Sequence, residues 1–418
     1  MSKLHLNKSE INKSAISVTS IIVLLPGCKR KTYNLQLITH YILPLPSMRI
    51  AVIKQTGESE DVSYQNYVAD IIVSIQQKHG YKLLNYSSLN KKEALPENAI
   101  VMFECDQQSQ ITLQWWYEIS LPSIVKKTGI DLLIHLNGCL SLSVKQPQIL
   151  FIPAIDLLLQ PAEKKALPQQ IYSKKKLRDF VEKAVSVIVY SEFARNIVME
   201  HAAPDTRVHV LIPSASAAFK PVEWEEKEQV KHKLTEENEY FIAMKKMNNE
   251  EELILLLKAF SVFKKWQQSS MKLLLQSGEL LETDTWKEKL ASYKYRKDVK
   301  VLNAYDGELS TNLACSYAGI HLSSHDGHVQ PLVEAMQCEI PVITNPLNSF
   351  KEIAGESALY QENDDAEVLG HNLVRMYKNE QMRNMLIYNA RLMITHYNYN
   401  SAVNDMTNII EASSGQKL

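Results

Sequence analysis

The chain has 418 residues, enough for two domains with separate cores, since a single core stops growing at roughly 250–300 residues. Its 46 Lys plus Arg stand against 47 Asp plus Glu, a balance that lacks the basic excess of a nucleic-acid binder, and no nucleic-acid partner is expected. The scattered Cys28, Cys105, Cys139, Cys315 and Cys338 exclude a closely spaced zinc or redox motif, and beyond the leader no apolar run approaches the ~20 residues of a membrane-spanning helix.

Residues 1–47 read as a leader or mis-assigned extension outside the fold. Lys3, Lys8 and Lys13 precede an apolar stretch from Ala15 to Gly27, and Leu25-Pro26-Gly27-Cys28 resembles a lipoprotein cleavage site, which would export the protein. Pro26 beside that site and Lys29-Arg30-Lys31 directly after it argue the other way. Met48-Arg49-Ile50-Ala51-Val52-Ile53 reads as an opening strand, so folding is expected to start at Met48. The expected location is the cytoplasm, soluble or peripheral on the inner face of the membrane.

From Met48 onward, β-branched and apolar runs alternate with helical patterns, the signature of parallel βαβ units. The first domain, 48–212, has predicted strands near Arg49 to Ile53, Ile100 to Glu104, Leu132 to Leu136, Ile149 to Ile152 and Val187 to Tyr190. The helix predicted over Tyr67 to Gln77 carries Val68, Ile71, Ile72 and Ile75 at helical spacing, with Gly80 just past its end. A linker, 213–238, is rich in Ala, Ser, Glu and Lys and ends in a charged surface helix. The second domain, 239–395, repeats the scheme with strands near Tyr240 to Met244, Lys272 to Gln276, Val299 to Leu302, Ile320 to Ser323 and Pro341 to Thr344. Residues 396–418 form a last helix and tail, placed to cross back to the first domain. The fold class is therefore α/β, with two Rossmann-like, doubly wound domains facing across a cleft.

The densest constellation runs from Ser323 to Thr344 as Ser-Ser-His-Asp-Gly-His-Val-Gln-Pro-Leu-Val-Glu-Ala-Met-Gln-Cys-Glu-Ile-Pro-Val-Ile-Thr. A strand gives way to a polar loop, and a helix starts at about Pro331, where the missing N–H costs nothing. Asp326 and Glu334 lie eight residues apart, one in the loop and one expected in the first helical turn, where free N–H groups suit phosphate. On spacing alone, a helix-capping Asp326 and a solvent-facing Glu334 account for the pair, as they do for most acid pairs in α/β proteins.

The same segment resembles the C-terminal signature of retaining glycosyltransferase family 4, of GT-B fold, in a gapless register. Phe350 to Leu359, Trp116-Tyr117-Glu118 with Leu121-Pro122, Tyr190-Ser191-Glu192-Phe193 and Phe219-Lys220-Pro221 resemble further family segments. The resemblance implies a nucleotide-sugar donor, a glycan or lipid-carrier acceptor, and no metal or other cofactor. It implies Asp326 as the catalytic residue beside the sugar and Glu334 on the ribose. Lys246, Lys245, Gly327, His325 and His328 complete the implied donor site.

Several family positions are altered. The cationic pair after the first strand of the second domain falls on Lys246 and Glu251, and the His-Asp of the first domain falls on Pro153-Ala154, with Asp156 two residues later. The Asn-Gly of the linker falls on Pro213-Ser214, and Val329 replaces a glycine. Two functions follow: a retaining glycosyltransferase of hexosyl type, or an inactive GT-B scaffold acting as a partner or regulatory subunit. Lys164-Lys165 and Lys174-Lys175-Lys176 with Arg178 could steer peripheral contact with an anionic membrane, or simply line a solvated helix.

Overall fold

Two parallel sheets organise the protein, whose computed structural model describes residues 48–55, 62–88, 95–105, 110–155, 168–203, 205–303 and 307–414. The leader, Asp156 and Lys164-Lys165 lie outside the described residues.

The first sheet contains β1 (Arg49–Gln55), β2 (Lys82–Asn85), β3 (Ala99–Cys105), β4 (Leu132–His135), β5 (Gln148–Phe151), β6 (Ser186–Val189) and β7 (Val208–Val210) in the order β2-β3-β1-β4-β5-β6-β7. Its central strands are buried on both faces, with Ala51, Val52, Leu132, Leu133 and Ile134 fully inaccessible. This is why they read as unbroken apolar runs rather than alternating ones. β2 and β7, which the apolar pattern does not announce, are short edge strands, β2 mostly exposed and β7 half-buried.

The second sheet contains β8 (Tyr240–Lys246), β9 (Lys272–Gln276), β10 (Val299–Leu302), β11 (Ala318–His321), β12 (Val342–Thr344) and β13 (Ala358–Tyr360) in the order β10-β9-β8-β11-β12-β13. All its pairings are parallel. β11 begins and ends two residues earlier than the expected Ile320 to Ser323, because Ser323 is engaged in the hydrogen bonds of the following loop. The chain reverses its direction of growth between β8 and β11, which pair through Phe241–Ala318 and Ile242–Gly319. In open parallel sheets the crevice beyond such a switch point is where ligands lodge.

The helices used below are α1 (Val62–His79), α2 (Gln110–Trp115), α3 (Leu121–Thr128), α4 (Pro168–Lys183), α5 (Glu192–His201), α6 (Trp224–Thr235), α7 (Glu250–Gln267), α8 (Gln330–Gln337), α9 (Asn348–Ala354) and α10 (Tyr399–Ser413). α6 is the charged helix of the linker segment. α10 returns from the second domain to pack on α1, where Ser74 Oγ meets Tyr399 Oη at 3.0 Å and Lys78 Nζ donates to Asn404 Oδ1 at 2.9 Å. At its far end Ser413 Oγ lies 2.9 Å from Ser186 Oγ on β6.

Candidate donor site at the second switch point

The loop after β11 is held by a closed set of hydrogen bonds. Ser323 N donates to Asn345 Oδ1 at 2.7 Å, His325 N donates to Ser323 Oγ at 3.0 Å, and the same hydroxyl lies 3.0 Å from His328 Nδ1. Buried His321 on β11 sits with Nε2 2.8 Å from the His328 carbonyl oxygen, so Nε2 carries the proton. The rings of His325 and His328 meet edge to face at 6.0 Å. His328 is thus a buried bracing residue, whereas His325 lies nearer the surface.

Asp326 is buried, and its Oδ1 accepts from Ser349 N at 3.0 Å in the first turn of α9. It therefore satisfies an N–H that has no partner within that helix. Ser349 Oγ in turn lies 2.9 Å from Ser191 Oγ at the start of α5, in the first domain. Beside it, the Glu352 carboxylate accepts from Glu192 N and Phe193 N at 2.7 and 2.8 Å. A carboxylate from one domain thus caps a helix of the other, and the capped N-terminus favours its charge. This chain of contacts runs from the candidate sugar site to the domain boundary.

Gly327 stands at a close approach of the two domains. A Cβ built on it would collide with the Pro153 carbonyl oxygen and lie 3.0 Å from Ala154 Cα, both backbone atoms of the first domain. The segment after β5 therefore closes the cleft against Gly327, at the pair onto which the sequence register maps the family's His-Asp.

Glu334 lies in the second turn of α8, since that helix starts at Gln330 rather than Pro331. It is half-buried. Burial pushes its carboxyl up from 4.5 to about 8, against the opposing effect of a hydrogen bond with Gln330. Gln330 Nε2 also donates to the Ser214 carbonyl oxygen at 2.7 Å, and Gln337 Nε2 donates to those of Ser216 and Phe219 at 3.1 and 2.7 Å. α8 consequently serves as the seat of the linker through Gln330 and Gln337. The same burial, reinforced by Glu334, raises the Cys338 thiol to about 12.

The end of β8 supplies the cations. Lys245 is largely buried and its Nζ is 2.5 Å from Glu252 Oε2, while Lys246 is exposed at the end of the strand. Asn249 caps α7 by accepting from Glu251 N and Glu252 N at 2.9 and 3.2 Å. Glu250, Glu251 and Glu252 then fill the first turn, which stabilises the helix but offsets the positive end that would attract phosphate. Sequence reasoning placed Lys245 and Lys246 beside this site; it missed Glu252 as the partner of Lys245, and missed the roles of Ser349, Glu352 and Pro153. Among the described residues, no group of three or more His, Cys, Asp or Glu is arranged to hold a metal ion.

Residues 225–393 match the family model described as glycosyl transferases group 1. No curated protein sequence matches the chain. Among solved structures it resembles a glycosyltransferase from Rickettsia africae, at 14% identity and TM-score 0.63 over 88% of this chain and 98% of that one. It also resembles HepE from Anabaena, solved with UDP and glucose, at 13% identity and TM-score 0.62 over 87% and 99% of the two chains. WaaG, a glycosyltransferase of lipopolysaccharide biosynthesis, superposes with TM-score 0.66 at 13% identity over 86% and 99%. These likenesses show a GT-B fold with two Rossmann-like domains.

Proposed function

We propose, for a chain whose second half carries a glycosyl transferases group 1 domain, that it transfers a sugar from a nucleotide-sugar donor to a glycan or lipid-carried acceptor, with retention and without a metal. The observation that carries this reading is the convergence at the second switch point: the end of β8 bearing Lys245 and Lys246, and the loop after β11 leading to Glu334 on α8. The solved relative HepE binds UDP and glucose, which supports a nucleotide sugar as the donor class. In this reading Glu334 meets the ribose hydroxyls and Lys246 the diphosphate. Asp326 and Gly327 border the sugar, with His325 and His328 beside them.

Two contacts favour the second reading, a scaffold that has lost turnover. Lys245 is already neutralised by Glu252, and Gly327 abuts the backbone of Pro153 and Ala154, where a sugar would need room. Calorimetric titration with UDP, GDP, ADP and their sugars separates the two. The transferase reading expects one nucleotide family to bind with Kd below about 1 mM, followed by loss of the nucleotide sugar in the presence of an acceptor lipid or glycan. No binding across the series returns the scaffold.

The exposed Glu251 at the start of α7 gives a directional check. Glu251→Lys removes an anion and adds a cation at the helix end facing the crevice. It should tighten binding of the preferred nucleoside diphosphate by about three- to tenfold at low salt, with the gain shrinking as salt is added. Unchanged affinity would place Glu251 away from the phosphates.

A further inference from the structure

The helical path formed by α2, a wide turn over Trp116–Ser120 and α3 has two apolar faces. The inner one needs no explanation: Leu113, Tyr117, Leu121 and Val125 are buried against the first sheet. The outer one does. Ile111 is 83% exposed, and Trp115 and Ile119 are each 56% exposed. A row of every fourth residue normally drifts around a helix, but the extra residue of the wide turn cancels that drift between Trp115 and Ile119. The three side chains therefore line up, and Lys126, seven residues beyond Ile119, continues the same row with Lys127 beside it; both are exposed.

Charge selects the occupant. Glu118, an acid between the apolar residues, is half-buried and held by the loop after β4, its oxygens accepting from Leu142 N at 3.1 Å and Ser143 Oγ at 2.6 Å. On the neighbouring α4, which packs against α2, Lys176 pairs with Asp179 and Arg178 with Glu182. Lys126 and Lys127 are thus the exposed charges of the path, against one half-buried acid. The apolar row presents on the order of 400 Å², about half of what one partner contributes to a standard protein interface, which is small for a second copy of this chain. A Trp flanked by two aliphatic side chains, followed by paired exposed lysines, instead matches a helix lying in the headgroup region of an anionic bilayer.

We propose that the face formed by Ile111, Trp115, Ile119, Lys126 and Lys127 docks the first domain on an anionic lipid surface. The assignment rests on the lipid-carried acceptor proposed above for its purpose, while its evidence is the surface itself. The test is co-sedimentation of the full 418-residue chain with vesicles of phosphatidylcholine alone and of phosphatidylcholine with phosphatidylglycerol. The parent is expected to partition onto the mixed vesicles and weakly onto phosphatidylcholine. Ile111→Ser/Trp115→Ser/Ile119→Ser and Lys126→Glu/Lys127→Glu should each lower the partition coefficient about tenfold or more, with thermal midpoints near the parent's. Should the serine variant misfold, Trp115→Ser alone still reads the same surface.

Equal partitioning of parent and variants, or no partitioning by the parent, overturns the proposal. So does a parent that is dimeric by light scattering and becomes monomeric in the serine variant, which would assign the face to a second copy. Vesicle binding involves no nucleotide, so a failure of donor binding leaves this result intact and the two readings fail separately.

Discussion

Gly327→Ala is expected to destabilise the protein by about 3 kcal/mol, the upper end of the usual cost of overpacking. The new methyl would strike the Pro153 carbonyl oxygen and crowd Ala154 Cα. Neither atom belongs to a side chain that can rotate away, so relief requires the backbone segments of two domains to separate. That movement is opposed by the bonds between Glu352 and the start of α5, and between Ser349 and Ser191. Chemical denaturation measures the loss, and small-angle scattering measures any separation as an increased radius of gyration. A variant within about 0.5 kcal/mol of the parent and unchanged in size would show that the two loops do not touch in solution.

The second large effect concerns pH. The Glu334 carboxyl is held at about 8 in the folded protein against an ordinary 4.5. Because the folded value is the higher one, the stability contributed by the protonated form is complete below about 4.5 and is lost as pH rises through about 8. Glu334→Gln keeps the shape and removes the ionisation. The variant should match the parent within error near the low end of that window and exceed it by about 2 to 3 kcal/mol above the high end, a discounted fraction of the full linkage. Denaturation curves for both proteins across that range provide the check. Identical pH slopes would mean that Glu334 is solvated in the folded state.

The same burial clarifies how much of the molecule was legible in its sequence. Strands packed on both faces announced themselves as apolar runs: β1, β3, β4, β5, β6, β8 and β9 fall close to their expected places. β2, β7 and β13 did not: β2 is mostly exposed, and β7 and β13 have three residues each, too few for a long apolar run or clear alternation. The loop from Ser323 to Val329 was identifiable as a unit through its resemblance to a family signature. Its partners were not, since they are set by tertiary contact: Ser349 for Asp326, Pro153 for Gly327 and Ser214 for Gln330. Both sides of the interdomain contact, Ser191-Glu192-Phe193 and the segment from Phe350, were noticed separately as family-like; nothing in either says that Glu352 caps the other. Lys245 shows the limit most clearly. A lysine after the first strand of a donor domain reads as a phosphate ligand, and only the packing of α7 against β8 shows that Glu252 already holds it.

The proposed donor role of Glu334 places a nucleotide against α8, beside the linker and the loop after β11. Its most direct test is calorimetric titration of the parent and of Glu334→Ala with whichever nucleoside diphosphate the parent prefers, at neutral pH and with thermal midpoints recorded for both. The account predicts that the parent binds and that the variant, still folded, loses about tenfold or more in affinity, the ordinary cost of removing a half-buried hydrogen-bonding partner. A folded Glu334→Ala variant that binds every tested nucleotide as tightly as the parent would contradict it.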